Sequence, residues 1–396
     1  MSGASTTSKP GKLEGVNLTA MFAAIITISA VGVGLGLSSP LLSLLMEMRG
    51  VSSTLIGANT AVAGVAAIVM VPFVTPIARR FGVVNSLIFA IFSAGITLYL
   101  FYAFENLIVW FGLRFIFSAS ISFAFIISEF WINSIAPQAA RGLVLGIYAT
   151  VLSIGFAVGP AILSTTGIEG ILPFLIGCGI IIISVIPAFM ARNHQPVMER
   201  SEKTPSVIPY LWAVPLATAG AFVFGAIEQG ELALLPVYGT QNGYNVQYVS
   251  WMLVALTLGN VVFQIPLGML SDKMDRRLVL LGCAIVGVIG SALFPFLIGN
   301  IWAFIVLLFF YGGVVGGMYT VGLAHLGSRL QGTDLAQANA AFILAYGLGM
   351  IIGPQAIGLL MDYTGKNGFA AGLVLFFLGF VLLHFYRTRT MANPTG

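Results

Sequence analysis

The chain alternates long apolar runs with short polar breaks, and the runs share a characteristic length. Each is about twenty residues or more, which is what a helix needs to cross ~30 Å of hydrocarbon. Twelve such helices are predicted, at 18–46, 52–77, 83–103, 107–133, 142–165, 170–190, 208–238, 247–270, 278–298, 301–328, 334–361 and 367–386. Two of the breaks are thin, Glu105-Asn106 and Gly299-Asn300. The longest break carries Arg192, His194, Glu199, Arg200, Glu202 and Lys203, and it divides the runs six and six. The pattern predicts an all-α integral membrane protein, twelve transmembrane helices in two pseudo-symmetric six-helix bundles. Its expected divisions are a tail over 1–16, a first bundle over 17–190, a linker over 191–207, a second bundle over 208–388 and a tail over 389–396. The Ser/Thr/Gly/Lys-rich start reads as disordered. The apolar run behind it is too long for a signal-peptide core and is expected to remain as the first span.

A shift of about 194 residues (349 − 155) lays Gly155, Gly159 and Pro160 on Gly349, Gly353 and Pro354, and Pro72 on Pro266. Equal span counts and this repeat support two related bundles, the plan of parallel-repeat transporters.

Composition agrees. The chain is 58% hydrophobic and 8% charged, against about 25% charged in soluble domains, and its mean hydropathy is +1.01. Lipid must be the solvent for most of it. Basic residues fix the orientation: with the first tail inside, Lys9, Lys12, Arg79, Arg80, Arg141, Arg192, Arg200, Lys203, Lys273, Arg276, Arg277, Arg329, Arg387 and Arg389 fall on one side and only Arg49 and Lys366 on the other. The positive-inside rule then puts both termini in the cytoplasm of a cell whose cytoplasmic (inner) membrane holds the chain. The net charge of +4 comes from single or short basic groups without interleaved aromatics, a topogenic pattern and not a nucleic-acid surface. Cys178 and Cys283 both lie inside apolar runs. They have neither disulfide-framework nor metal-site spacing, and no cofactor or metal is expected.

One break is unusually dense in charge: Gly268-x-x-x-Asp272-Lys273-x-x-Arg276-Arg277, just after Pro266. It is expected to form a tight interfacial turn between the eighth and ninth spans. The pattern resembles the loop signature of the major facilitator superfamily of transporters, with Asp275 where a glycine is usual. The first-half counterpart near Thr75–Gly82 lacks the aspartate. Gly155-x-x-x-Gly159-Pro160 resembles part of the motif of the antiporter branch, and Gly349, Gly353, Pro354 and Gly358 carry its fuller version in the eleventh span. Arg114–Ser118 is similar to the superfamily's intramembrane arginine motif, with Phe117-Ser118 in place of Gln-Gly. Glu129-Phe130-Trp131-Ile132-Asn133 followed by Arg141-Gly142 is similar to a segment of the YcaD-like branch. The resemblance implies a cavity lined by spans one, four, seven and ten. It also makes Gly268, Asp272, Lys273, Arg276 and Arg277, with Gly155, Gly159, Pro160, Gly353 and Pro354, the expected conformational gate. Asp272 is expected to dock against a neighbouring helix end when the cytoplasmic side closes, while Lys273, Arg276 and Arg277 hold anionic headgroups.

A charge at the centre of a span costs about 2.5–3.5 kcal/mol on insertion scales, so Arg114, Glu129, Glu228 and Glu231 ask for a reason. Arg114, Ser118, Ser122, Phe125 and Glu129 form one polar stripe at helical spacing. Glu228 and Glu231 share a face of the seventh span. Counted from Ile208 they fall in its outer half, where Arg114 could face them across the cavity. Burial and like charge favour the acid form of a glutamate, whereas an arginine favours its carboxylate. Such a cluster could couple protons to substrate, or be a static ion pair. Glu129, near Asn133 and Arg141, fits an inner-gate pair or helix anchor as well as a substrate contact. Tyr311 and His325 share a stripe of the tenth span, and Asn260 and Gln264 lie with Thr257 along the eighth. Asn339 and Tyr346 lie with Phe342 along the eleventh. All are expected to line the cavity or to bond helix to helix.

The expected function is secondary-active transport by alternating access, as a monomer. Proton-coupled export of a small amphipathic compound leads. Import of a small metabolite or organic anion held by Arg114 is the alternative, and a non-transporting sensor the third reading. An enzyme or ATP-driven pump would need clustered nucleophiles, metal ligands or a phosphate-binding glycine loop, and the sequence carries none.

Overall fold

The thin breaks in the sequence are helix caps. Asn106 Oδ1 accepts the amides of Ile108 and Val109, and Asn300 Oδ1 accepts that of Ala303. These side chains supply the acceptors that first-turn amides lack. A computed structural model of the chain describes residues 18–136, 141–196 and 207–392. Its helices are α1 (Leu18–Met48), α2 (Ser53–Phe81), α3 (Val83–Ala103), α4 (Leu107–Ile135), α5 (Arg141–Thr166), α6 (Leu172–Ile183), α7 (Val185–Met190), α8 (Pro215–Gln241), α9 (Val246–Lys273), α10 (Arg276–Leu297), α11 (Ile301–Gly327), α12 (Gly332–Thr364) and α13 (Gly368–Ala392). Twelve spans long and apolar enough to cross a membrane result.

Three local departures from the expected boundaries have proline or capping causes. The sixth span breaks at Ser184 into α6 and α7, because Pro187 has no amide for the carbonyl of Ile183 and Ser184 Oγ bonds back to Ile181 O at 2.6 Å. The seventh span starts at Pro215 and not at 208; Ile208–Leu211 is a separate 3₁₀ turn. Val214, just before a proline, is pushed out of the helical region to φ −131°, ψ 73°. The charged stretch Gly268–Arg277 is mostly helix: α9 runs through Lys273, and only Met274 and Asp275 turn the chain. Asp275 Oδ1 caps Arg277 N at 2.9 Å.

Helices in lipid gain little by hiding apolar surface from each other, so close backbone contact has to hold them together. The repeat seen in the sequence supplies it twice. A Cβ built on Gly159 would lie 2.3 Å from Leu37 N, and one on Gly155 would lie 3.0 Å from Gly32 Cα, so α5 rests directly on α1. In the second half a Cβ on Gly349 would lie 2.0 Å from Phe222 O, and one on Gly353 would lie 2.3 Å from Ala226 Cα, pressing α12 on α8. These glycines therefore tie helices within each bundle. Of the expected gate set, Pro354 reaches across, its carbonyl 2.2 Å from where a Cβ on Gly57 would stand.

The bundles meet tightly at one end, where α2 starts and α1, α8 and α12 finish. Asp362, near the end of α12, accepts Ser53 N at 2.9 Å, Thr54 N at 2.8 Å and Thr54 Oγ1 at 2.5 Å. Glu47 of α1 takes the hydroxyl of Thr240 of α8. At the opposite end Asp272 is exposed and pairs with Arg276, the first residue of α10, at 3.1 Å. In solvent such a pair contributes at most about 1 kcal/mol.

Substituting Gly159→Ala tests the α1–α5 contact. Overpacking against backbone on that scale should cost about 1–3 kcal/mol, exceeding the ~1 kcal/mol of helix propensity gained. A lower Tm of the detergent-solubilised protein, followed by tryptophan fluorescence, is the expected result.

Candidate functional site

The site is organised by α8, which packs among helices of both bundles and is buried along almost its whole length. Glu228 and Glu231 stand 13 and 16 residues past Pro215 (228 − 215, 231 − 215), about 20–24 Å along at 1.5 Å per residue. Because the helix starts later than the apolar run suggested, Glu228 sits at its midpoint and Glu231 three residues beyond it. Both acids find phenols of their own bundle. Tyr311 Oη of α11 donates to Glu231 Oε1 at 2.5 Å, and Ser291 Oγ of α10 donates to Tyr311 Oη at 3.3 Å. Tyr346 Oη of α12 donates to Glu228. Glu231 is 5% exposed, whereas Glu228 is half-buried.

Aromatic rings surround Glu228. Phe224, one turn before it, lies 5.7 Å from Tyr319 and stacks on Tyr346 at 6.2 Å between ring centroids. Tyr319 in turn meets Phe342 at 5.2 Å and Tyr346 at 5.6 Å. Tyr319 lies within electrostatic reach of both Glu228 and Glu129. Glu129 comes from α4 of the first bundle and is exposed. Carboxylates from opposite bundles thus flank one aromatic cluster.

Arg114 does not join them. It is 3% exposed, and Nη2 bonds Ser39 Oγ of α1 at 3.1 Å; Nε and Nη1 have no partner among the described residues. The expected pairing with Glu228 or Glu231 is not formed: Arg114 turns to Ser39 on α1, the helix that packs against both α4 and α8. Ser118 lies on the same face, buried and without a hydrogen-bond partner among the described residues; Ser122 and Phe125 are half-buried.

The remaining candidates separate. Asn133 Nδ2 bonds the backbone carbonyl of Glu129 at 2.9 Å, and the Arg141 side chain lies outside the described residues. Asn260 presses on α11, its Oδ1 2.4 Å from a Cβ built on Gly316, a packing role. Gln264 and Asn339 are half-buried. His325 lies at the far end of α11, lining a cavity with Asp272, Asp275, Arg276 and Arg329, remote in sequence and setting from Tyr311.

Asp362, Glu47, Thr240 and Ser291 escaped the sequence reading. A signal existed for the acids: both stand in the last turns of helices, where the macrodipole disfavours negative charge. Each is offset by a partner on the other bundle.

The sequence profile of the Major Facilitator Superfamily matches residues 24–250 and 232–395. An uncharacterised MFS-type transporter of Bacillus subtilis (strain 168), YfkF, is 26% identical over 86% of this chain and 88% of its own. The uncharacterised MFS-type transporter YcaD of Escherichia fergusonii is 24% identical over 72% and 74%. Among solved structures, the nucleoside transporter NupG matches with a TM-score of 0.71 at 15% identity, over 94% of this chain and 98% of that one. An inward-facing bacterial homologue of the lysosomal transporter Spinster matches with a TM-score of 0.70 at 14% identity, over 95% and 96%.

Replacing Asp362→Asn removes the charge and one acceptor from a cap that joins the bundles. Charge-assisted hydrogen bonds are worth about 1.5–3 kcal/mol, so maleimide labelling of a Ser43→Cys reporter beneath that seal should rise roughly tenfold or more. An unchanged rate would mean that the contact does not hold the end shut.

Proposed function

The chain belongs to the Major Facilitator Superfamily and is a multi-pass membrane transporter, and we propose that it exports a small amphipathic compound in exchange for protons. The observation that carries this is the pair Glu228 and Glu231, set mid-membrane on one helix and held by tyrosine hydroxyls with no cation at ion-pair distance among the described residues. An acid held this way can exist with or without its proton, and the neutral form avoids the large cost of a buried charge. Glu228, beside Phe224, Tyr319 and Tyr346, is the point where proton and substrate compete. The aromatic rings take the apolar part of the substrate. Glu231, enclosed by Tyr311 and Ser291, holds the second exchangeable proton.

Alternating access fits two bundles that meet closely at the end holding Asp362 and Glu47, with Glu129 exposed toward the other end. On the positive-inside reading the parted end is cytoplasmic, both termini lie there, and the chain works as a monomer in the cytoplasmic membrane. A second reading, import of an organic anion, is favoured by the unpartnered Nε and Nη1 of Arg114.

A growth screen of an overexpressing strain against antibiotics and metabolites identifies the compound. Everted vesicles then measure whether it dissipates an imposed pH gradient. The variant carrying Glu228→Gln and Glu231→Gln should lose gradient-driven transport and keep substrate counterflow. Gradient-driven flux of undiminished rate in that variant would remove the coupling assignment. Loss of all binding on Arg114→Gln, with the glutamate variant intact, would favour the anion importer.

A further inference from the structure

Tyr319 stands where acids of the two bundles converge. It lies on α11 and is half-buried, within electrostatic reach of Glu228 from the second bundle and of Glu129 from the first. Glu129 also reaches Tyr148 of α5, so its carboxyl acts on a phenol of each bundle. Phe224 and Tyr346 pack on Tyr319 at 5.7 and 5.6 Å between ring centroids. They fix the ring, which stays partly open.

This arrangement favours one ligand chemistry. The face of an aromatic ring is partially negative and attracts cations, and aromatic cages suit quaternary ammonium groups above all. Carboxylates on either side of the cluster deepen that attraction and repel an anion. A metal ion fits poorly. It asks for several ligand atoms at short distance, and the described residues hold no group of three metal-binding side chains.

We propose that the compound held here is an organic cation, an amine or a quaternary ammonium or phosphonium ion whose charge lies against the Tyr319 ring, flanked by Glu228 and Glu129. The assignment rests on the reading of Glu228 as the point where substrate and proton compete, and it gives that competition a charge balance. As the cation arrives, the proton of the Glu228 carboxyl leaves to water in the space between the bundles. The cation takes its place beside the carboxylate, and the net charge of the site is unchanged. Because Tyr319 and Glu129 belong to different bundles, rocking of the bundles removes one of the cation's partners.

Equilibrium dialysis of the full chain in an uncharged detergent tests this with tetraphenylphosphonium and tetraphenylborate, ions of the same shape and opposite charge, and with benzyltrimethylammonium as a smaller cation. Wild type should bind both cations saturably, and tetraphenylphosphonium about tenfold or more tightly than tetraphenylborate. Tyr319→Leu should weaken the cation about tenfold, whereas Tyr319→Phe, which keeps the ring, should stay within about twofold of wild type. Glu129→Gln, at an exposed position that tolerates the change if the leucine variant does not fold, should weaken it about fivefold at low salt and less at high salt. Equal binding of the two tetraphenyl ions, absence of saturable binding of either cation, or undiminished cation binding in Tyr319→Leu or Glu129→Gln would overturn the cation site. Everted vesicles read the exchange separately. Cations that bind at Tyr319 and leave the pH gradient intact would remove proton exchange and keep the site. A neutral or anionic compound that dissipates the gradient through Glu228 would keep the exchange and remove the site.

Discussion

Backbone-to-backbone contact between paired helices is the constraint on which this molecule rests. Hydrocarbon offers helices no hydrophobic reason to associate, so affinity has to come from dispersion and close approach. Gly155 and Gly159 supply it between α5 and α1; Gly349 and Gly353 supply it between α12 and α8. Side chains at those positions would stand inside the partner's backbone. Each bundle is thereby made stiff around its own inner helix, and relative movement is left to the surface between bundles.

That surface is polar at its tightest end. Asp362 completes the N-terminus of α2 from the other bundle, and Glu47 takes the hydroxyl of Thr240. Both acids sit at helix ends where their own helix dipole opposes them. They are stable there only while the facing bundle is close. Such contacts exist or vanish with bundle separation, unlike the glycine contacts inside each bundle.

Midway along α8 the same lack of water sets a different problem. Two carboxyl groups there need hydrogen-bond partners, and Tyr311 and Tyr346 provide them from within the second bundle. The two surroundings are unequal. Glu231 is enclosed with Ser291 behind its tyrosine, while Glu228 borders an aromatic cluster that Glu129 approaches from the first bundle. One acid is thus reachable from the space between the bundles, and the other is not.

Much of this was legible in the chain itself. Run length determines span number, because the bilayer thickness is fixed. Asn106 and Asn300 mark their helix starts because first-turn amides need local acceptors. The glycine repeat marks two helices that pack closely, since only a missing Cβ permits such approach, but their partners α1 and α8 appear only in the fold. Those constraints act within a few residues or along one helix. The partners of the charges were decided only in three dimensions. A run of apolar residues does not say that α8 waits for Pro215 to begin, nor how far each helix slides or turns against its neighbour. Arg114 meets Ser39 on α1, which packs against both α4 and α8, and the acids meet tyrosines of their own bundle. Axial register and rotation depend on how whole helices pack, and that information is spread over every contact at once.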